Sequence, residues 1–187
     1  DPDSPPVTFL SPLQTTNPYY AKFGWTSSAD VPLPDDDTVW QSTDTILSPN
    51  RPVTLTWDNG VGLRFFRTVD VDANYMFTVS DRVENYGSEA ITLIPFGAIV
   101  RKGEPETVNF FILHEGALGV FDEVLDQEDY DDIADADNGR IENTPETAGG
   151  WIGITDKYWL TALVPDQQTK ASFSYNHWQD DNRDNFQ

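Results

Sequence analysis

The chain has 187 residues, enough for one β domain with a real core, and its 6 Trp, 7 Tyr and 11 Phe are far more than a disordered polymer carries. Its 11 basic and 32 acidic residues leave a net charge of −21, which repels phosphate backbones and anionic headgroups and excludes a nucleic-acid partner. Cysteine is absent, so disulfides, thiolate metal sites and thiol nucleophiles are excluded as well.

No apolar run approaches the roughly 18 residues that a membrane helix needs. The longest, Ala90 to Val100, is interrupted by Thr92, Pro95 and Gly97. The opening Asp-Pro-Asp-Ser-Pro-Pro has neither the basic start nor the apolar centre of a signal peptide, and reads as the start of a mature product or an excised piece.

A single domain is expected over 1–187, in four stretches. Residues 1–52 hold most of the thirteen prolines, which forbids a long helix and predicts short strands, such as Tyr20–Trp25 and Thr38–Gln41, between irregular loops. Asp35-Asp36-Asp37 fits an exposed turn. From 53 to 121 the pattern is that of central antiparallel strands. Val53-Thr54-Leu55-Thr56-Trp57 alternates at period two, and Asn59-Gly60 before Val61–Val69 is a strong hairpin signal. Further strands are predicted at Tyr75–Val83, at Ala90–Lys102 with an irregularity at Pro95-Phe96-Gly97, and at Val108–His114.

Residues 122–148 read as an acidic loop, since 122–137 alone contain nine acids and no base. Residues 149–187 open on Gly149-Gly150-Trp151. They end a first segment at Pro165, offer Ala171–His177 as a last strand, and leave Trp178 before a polar tail, free for surface contact. Strands without helical period between them argue for an antiparallel sandwich or barrel.

The side chains offer little catalytic chemistry. With only His114 and His177 and no Cys, calcium is the one cation worth testing. Asp135, Asp137 and Glu146 have the spacing of a calcium loop, but Arg140 stands where its turn needs Gly. Asp70, Asp72 and Asn74 offer a second start with Tyr75 at that position, and better fit a polar strand face. No Gly-x-Ser-x-Gly or His-Glu-x-x-His motif is present. His114-Glu115 is the only local acid/base candidate, although neighbours on a strand point to opposite faces. Trp25, Trp40, Trp57, Trp151 and Trp159 sit in apolar contexts that suit core packing, with a sugar-stacking platform as the alternative. Arg64 and Arg67, flanking Phe65-Phe66, are placed to pair locally with acids.

Four segments occur in order: Trp57-Asp58-Asn59-Gly60-Val61-Gly62-Leu63-Arg64-Phe65, Val71-Asp72-Ala73-Asn74-Tyr75-Met76-Phe77-Thr78-Val79, His114-Glu115-Gly116-Ala117-Leu118-Gly119-Val120-Phe121, and Gly150-Trp151-Ile152-Gly153-Ile154-Thr155-Asp156-Lys157-Tyr158-Trp159. Together they resemble the large periplasmic domain of the YidC membrane-protein insertase family of Gram-negative bacteria. The resemblance implies a mainly β fold, a twisted antiparallel β-supersandwich similar to galactose mutarotases and sugar-binding domains, with a short C-terminal helical segment, and Asp166 onward leading toward helices that lie beyond this chain.

It also implies a place on the periplasmic face of the inner membrane, with attachment through flanking helices absent from this chain. The implied role is accessory and non-enzymatic, without cofactor. The implied partners are SecD and SecF, the SecYEG translocon and nascent membrane proteins, with the SecF contact within Phe96 to Pro145. A carbohydrate-binding or mutarotase-like domain is the alternative reading.

Overall fold

A computed structural model describes residues 9–103, 113–156 and 159–187. In chain order the strands are β1 (Tyr19–Thr26), β2 (Gln41–Ser42), β3 (Val53–Asp58), β4 (Leu63–Val71), β5 (Phe77–Asn85), β6 (Ile94–Lys102), β7 (Gly116–Phe121) and β8 (Val124–Asp129). Helix α1 (Tyr130–Asp135) follows, then β9 (Arg140–Ala148), β10 (Trp151–Asp156), β11 (Trp159–Leu163), β12 (Lys170–Asp180) and β13 (Arg183–Phe186). The fold is mainly β, in antiparallel sheets ordered β1-β6-β13-β12-β9, β11-β10-β7-β8 and β2-β3-β4-β5. Among the described residues no helix is long and apolar enough to cross a membrane.

The chain forms two compact units, Gly24–Phe96 and the remainder, and crosses between them within β1 and again within β6. In the Gly24–Phe96 unit, alternation along β3 and β4 sends Trp57, Leu63 and Phe65 to one face, where they meet Trp25, Trp40 and Val83. Phe65 is fully buried between Trp25, at 5.0 Å between ring centroids, and Trp57, at 5.6 Å. Arg67 forks onto Asp81 across the β4–β5 ladder and lies over the Trp25 ring, 4.9 Å from its centroid. Arg64 pairs with Asp58. Both arginines therefore serve local acids, as the sequence suggests.

Each end of β4 is closed by the same device. Asn59 accepts the Val61 and Leu63 N–H groups on its side-chain oxygen while its own N–H donates to the Leu63 carbonyl. Asp72 does likewise with the Asn74 and Met76 N–H groups and the Met76 carbonyl. The predicted hairpin at Asn59-Gly60 thus exists, but it spans residues 59–62, with φ +73° at Gly60 and +109° at Gly62, and not a two-residue turn. One oxygen of the Asp72 carboxylate thus accepts two backbone donors of the Asp72–Met76 loop. Among the described residues no group of metal-ligating side chains gathers.

The other unit has a core of Tyr19, Ile99, Phe121, Tyr130, Ile133, Ile154, Phe173, Tyr175 and Phe186. Phe121 meets Phe173 at 4.7 Å and Tyr130 meets Phe186 at 4.6 Å. Here the acidic stretch departs from expectation. Residues 122–148 are not a loop: they contain β8, α1 and β9. Three-residue spacing places Tyr130 and Ile133 on one face of α1, both buried, while Asp131 and Asp132 point to water.

The end of the chain differs too. The one short α-helix among the described residues lies at 130–135 and not at the C-terminal end, where β12 and β13 form a hairpin. Trp178 is half-buried on β12, and no polar tail follows it, because 183–186 pair with β12. Of the predicted Val108–His114 strand, 108–112 lie outside the described residues, and Leu113 and His114 belong to no strand.

Candidate partner-binding face

The sheet β11-β10-β7-β8 carries the feature that the sequence alone does not reveal. Its register aligns Thr161, Ile154, Ala117 and Glu128 across the four strands, and Leu163, Ile152, Gly119 and Asp126 one step along. This is the core side: Ala117, Phe121 and Ile154 are buried, and Ile152 and Leu163 pack against them. At its end Arg101 is paired with Asp156, whose other oxygen accepts from the Tyr130 hydroxyl at 3.4 Å. Burial pushes the Tyr130 hydroxyl well above the usual tyrosine range, so it stays a donor at any physiological pH.

The residues between point the other way: Leu160 and Ala162 on β11, Trp151, Gly153 and Thr155 on β10, Leu118 and Val120 on β7, and Leu125, Gln127 and Asp129 on β8. Leu160 leans over Gly153, where a Cβ would stand 3.2 Å from its Cδ1. Leu125 is 56% and Leu160 48% exposed, while Leu118, Val120 and Trp151 are half-buried beside them. A continuous apolar band therefore lies open on this face.

Its border is acidic. The four strands contain no lysine or arginine. The β7–β8 turn is made of Asp122 and Glu123, both exposed and both at positive φ, +50° and +65°. Asp129 stands on β8 with its side chain 66% exposed, 3.0 Å from the His114 ring. On the core side, burial and then the charges of Asp126, Asp132 and Asp129 raise the Glu128 carboxyl above its ordinary range.

His114, the one local acid/base candidate, lies 3.0 Å from the Asp129 carboxylate through one ring nitrogen, and its other ring nitrogen is 2.8 Å from the Ala117 carbonyl. The ring thus pins the start of β7 to the end of β8. His177 makes an equivalent structural contact with Asp184, 2.9 Å away, whose carboxyl is held below the usual range by the Gln179 amide and by His177. Asp135, Asp137 and Glu146 do not come together as a metal site. Trp25, Trp40 and Trp57 belong to the core of the other unit, whereas Trp151 lies on the open band and Trp159 is 45% exposed.

Comparison with known proteins gives this architecture a family. The model of the YidC periplasmic domain matches residues 1–187. The chain belongs to the YidC periplasmic-domain family. The membrane protein insertase YidC of Methylobacterium nodulans is 47% identical over 181 residues, covering 94% of this chain and 30% of the relative. That of Methylobacterium radiotolerans is 48% identical over 175 residues, covering 90% and 28%. That of Granulibacter bethesdensis is 42% identical over 190 residues, covering 100% and 33%.

The chain thus spans about a third or less of the length of these relatives. These relatives are named membrane protein insertases, and the part of the family that this chain matches is the periplasmic domain. Two of the four segments that carry the resemblance, His114–Phe121 and Gly150–Trp159, supply β7, β10 and the start of β11, the strands under the open band.

Proposed function

We propose that this domain is an accessory, non-catalytic binding module of a YidC insertase, which contacts SecD, SecF or emerging membrane-protein segments and leaves insertion to other parts of the protein. The observation that carries the reading is the open apolar band with its acidic border, on a domain matched along its whole length by the YidC periplasmic family. An apolar centre with a polar, charged rim is the anatomy of a protein interface. The region Phe96 to Pro145, in which the resemblance puts the SecF contact, contains β7, β8 and α1, and so two strands of that sheet.

Calorimetry of this domain with the periplasmic parts of SecD and SecF, at low and physiological salt, tests the reading. Saturable one-to-one binding that weakens with salt is expected, because exposed charges are screened beyond about 8–10 Å. No heat of binding at high micromolar concentration of either partner refutes the contact with SecD and SecF and leaves emerging membrane-protein segments as the partner.

A further inference from the structure

We propose that the outer face of the β11-β10-β7-β8 sheet docks an amphipathic helix, apolar along one side and flanked by lysine or arginine. The inference rests on the accessory reading and gives it a surface and a chemical class of partner. Shape, apolarity and charge each contribute.

At about 4.8 Å between strands, four strands present a strip about 14 Å wide, against a helix diameter of about 10–12 Å. Gly153 on β10 leaves room in the middle of this strip that Leu160 leans into from β11, and Leu118 stands beside it on β7. Leu125, Trp151 and Leu160 then offer apolar contact to a helix side that repeats every three to four residues. The charge decides which helix. Asp129 on β8 and Asp122 and Glu123 in the β7–β8 turn stand exposed at the border, and no lysine or arginine lies on the four strands. A basic flank finds partners there, and an acidic one finds repulsion. A second copy of the chain would set two acid-bordered faces against each other, within a Debye length.

The probe is a labelled helical peptide of leucine and lysine at amphipathic spacing, with a scrambled peptide of equal composition and a leucine–glutamate counterpart, titrated with the 187-residue chain by fluorescence anisotropy. Saturable binding is expected for the amphipathic leucine–lysine peptide alone. The double variant L125S/L160S, which alters two exposed side chains, is expected to weaken it by about tenfold or more with little change in melting temperature.

A second variant leaves the band untouched: D122N/E123N, since asparagine tolerates the positive φ of that turn, is expected to weaken binding severalfold and flatten its salt dependence. Equal binding of the scrambled peptide, or undiminished binding to L125S/L160S, overturns the inference by showing that net charge alone holds the peptide. Self-association of the wild-type chain that L125S/L160S abolishes overturns it in favour of a second copy. Binding of SecD or SecF without binding of the leucine–lysine peptide overturns this inference while the accessory reading stands. Peptide binding without SecD or SecF binding supports the surface and removes the named partners.

Discussion

Gly60 and Gly150 form a controlled pair. Both occupy the left-handed region, at φ +73° and +85°, but a Cβ at Gly60 meets nothing within 4 Å, whereas at Gly150 it would drive into the Val120 carbonyl oxygen. Gly60→Ala therefore incurs only the conformational term, about 1 kcal/mol. Gly150→Ala incurs that term and must also push back β7, where Trp151 pairs with Val120, and disturb Gln167, which both donates to and accepts from the Gly150 backbone.

Overpacking against backbone together with a weakened ladder bond brings the Gly150→Ala total to about 3 kcal/mol. At about 2–4 °C per kcal/mol for a chain of this size, melting followed by circular dichroism should fall by about 2–4 °C for Gly60→Ala and about 6–12 °C for Gly150→Ala. Asparagine separates the two causes, because it tolerates the left-handed region but keeps the Cβ. Gly60→Asn is expected to melt near the wild type and Gly150→Asn to keep the steric part, melting about 4–8 °C below the wild type. Recovery of Gly150→Asn to wild-type stability would refute the steric argument.

Two further outcomes follow from local physics. Tyr75 is 84% exposed and held at φ +63°, a conformation that costs a bulky residue about 1–2 kcal/mol, so Tyr75→Asn should raise the melting temperature by a few degrees; a fall would show that its ring makes a compensating contact. Glu128 has its carboxyl raised by burial and then by three neighbouring aspartates, with His114 opposing, so the folded state holds that proton more tightly than the unfolded chain does. Its contribution is then most favourable below the ordinary glutamate range and is lost as pH rises through the raised value. Glu128→Gln should melt above the wild type at neutral pH, with the difference shrinking as pH falls toward 4; a difference that grows on acidification contradicts the sign.

Much of the fold is legible in the residues because its strands follow simple alternation. Val53–Trp57 and Ala171–His177 fall within β3 and β12, and Tyr20–Trp25 within β1. The hairpins are less legible. Asn59-Gly60 has the composition of a two-residue turn, yet the side chain of Asn59 captures two N–H groups and stretches the loop. Among the described residues the two-residue hairpin turns, with both residues at positive φ, are Asp122-Glu123 and Asp181-Asn182. At Asp122-Glu123 the pairing of β7 with β8 holds a glutamate in the left-handed region against its local preference. The acidic stretch misleads for a related reason: charge density describes only the wet faces of β8 and α1, while Tyr130 and Ile133, two residues among many acids, fix that stretch to the core.

The candidate face is hidden in the sequence by the same two-sidedness. Gly-Ala-Leu-Gly-Val-Phe, the whole of β7, is apolar at both parities, the signature of a strand covered on both sides. Pairing with β10 and β8 assigns Ala117 and Phe121 to the core and leaves Leu118 and Val120 on a side where Leu125 and Leu160 are still about half exposed. Among the described residues β7 is fully covered on one side only, and the proposed partner helix supplies the other cover. The acids around it, with no base on the four strands to answer them, specify the charge that the second cover must bring. Apolarity at both parities of a strand, combined with one sign of charge at its borders, is thus the sequence signal for such a face, and it becomes readable only once register has decided which parity is the core.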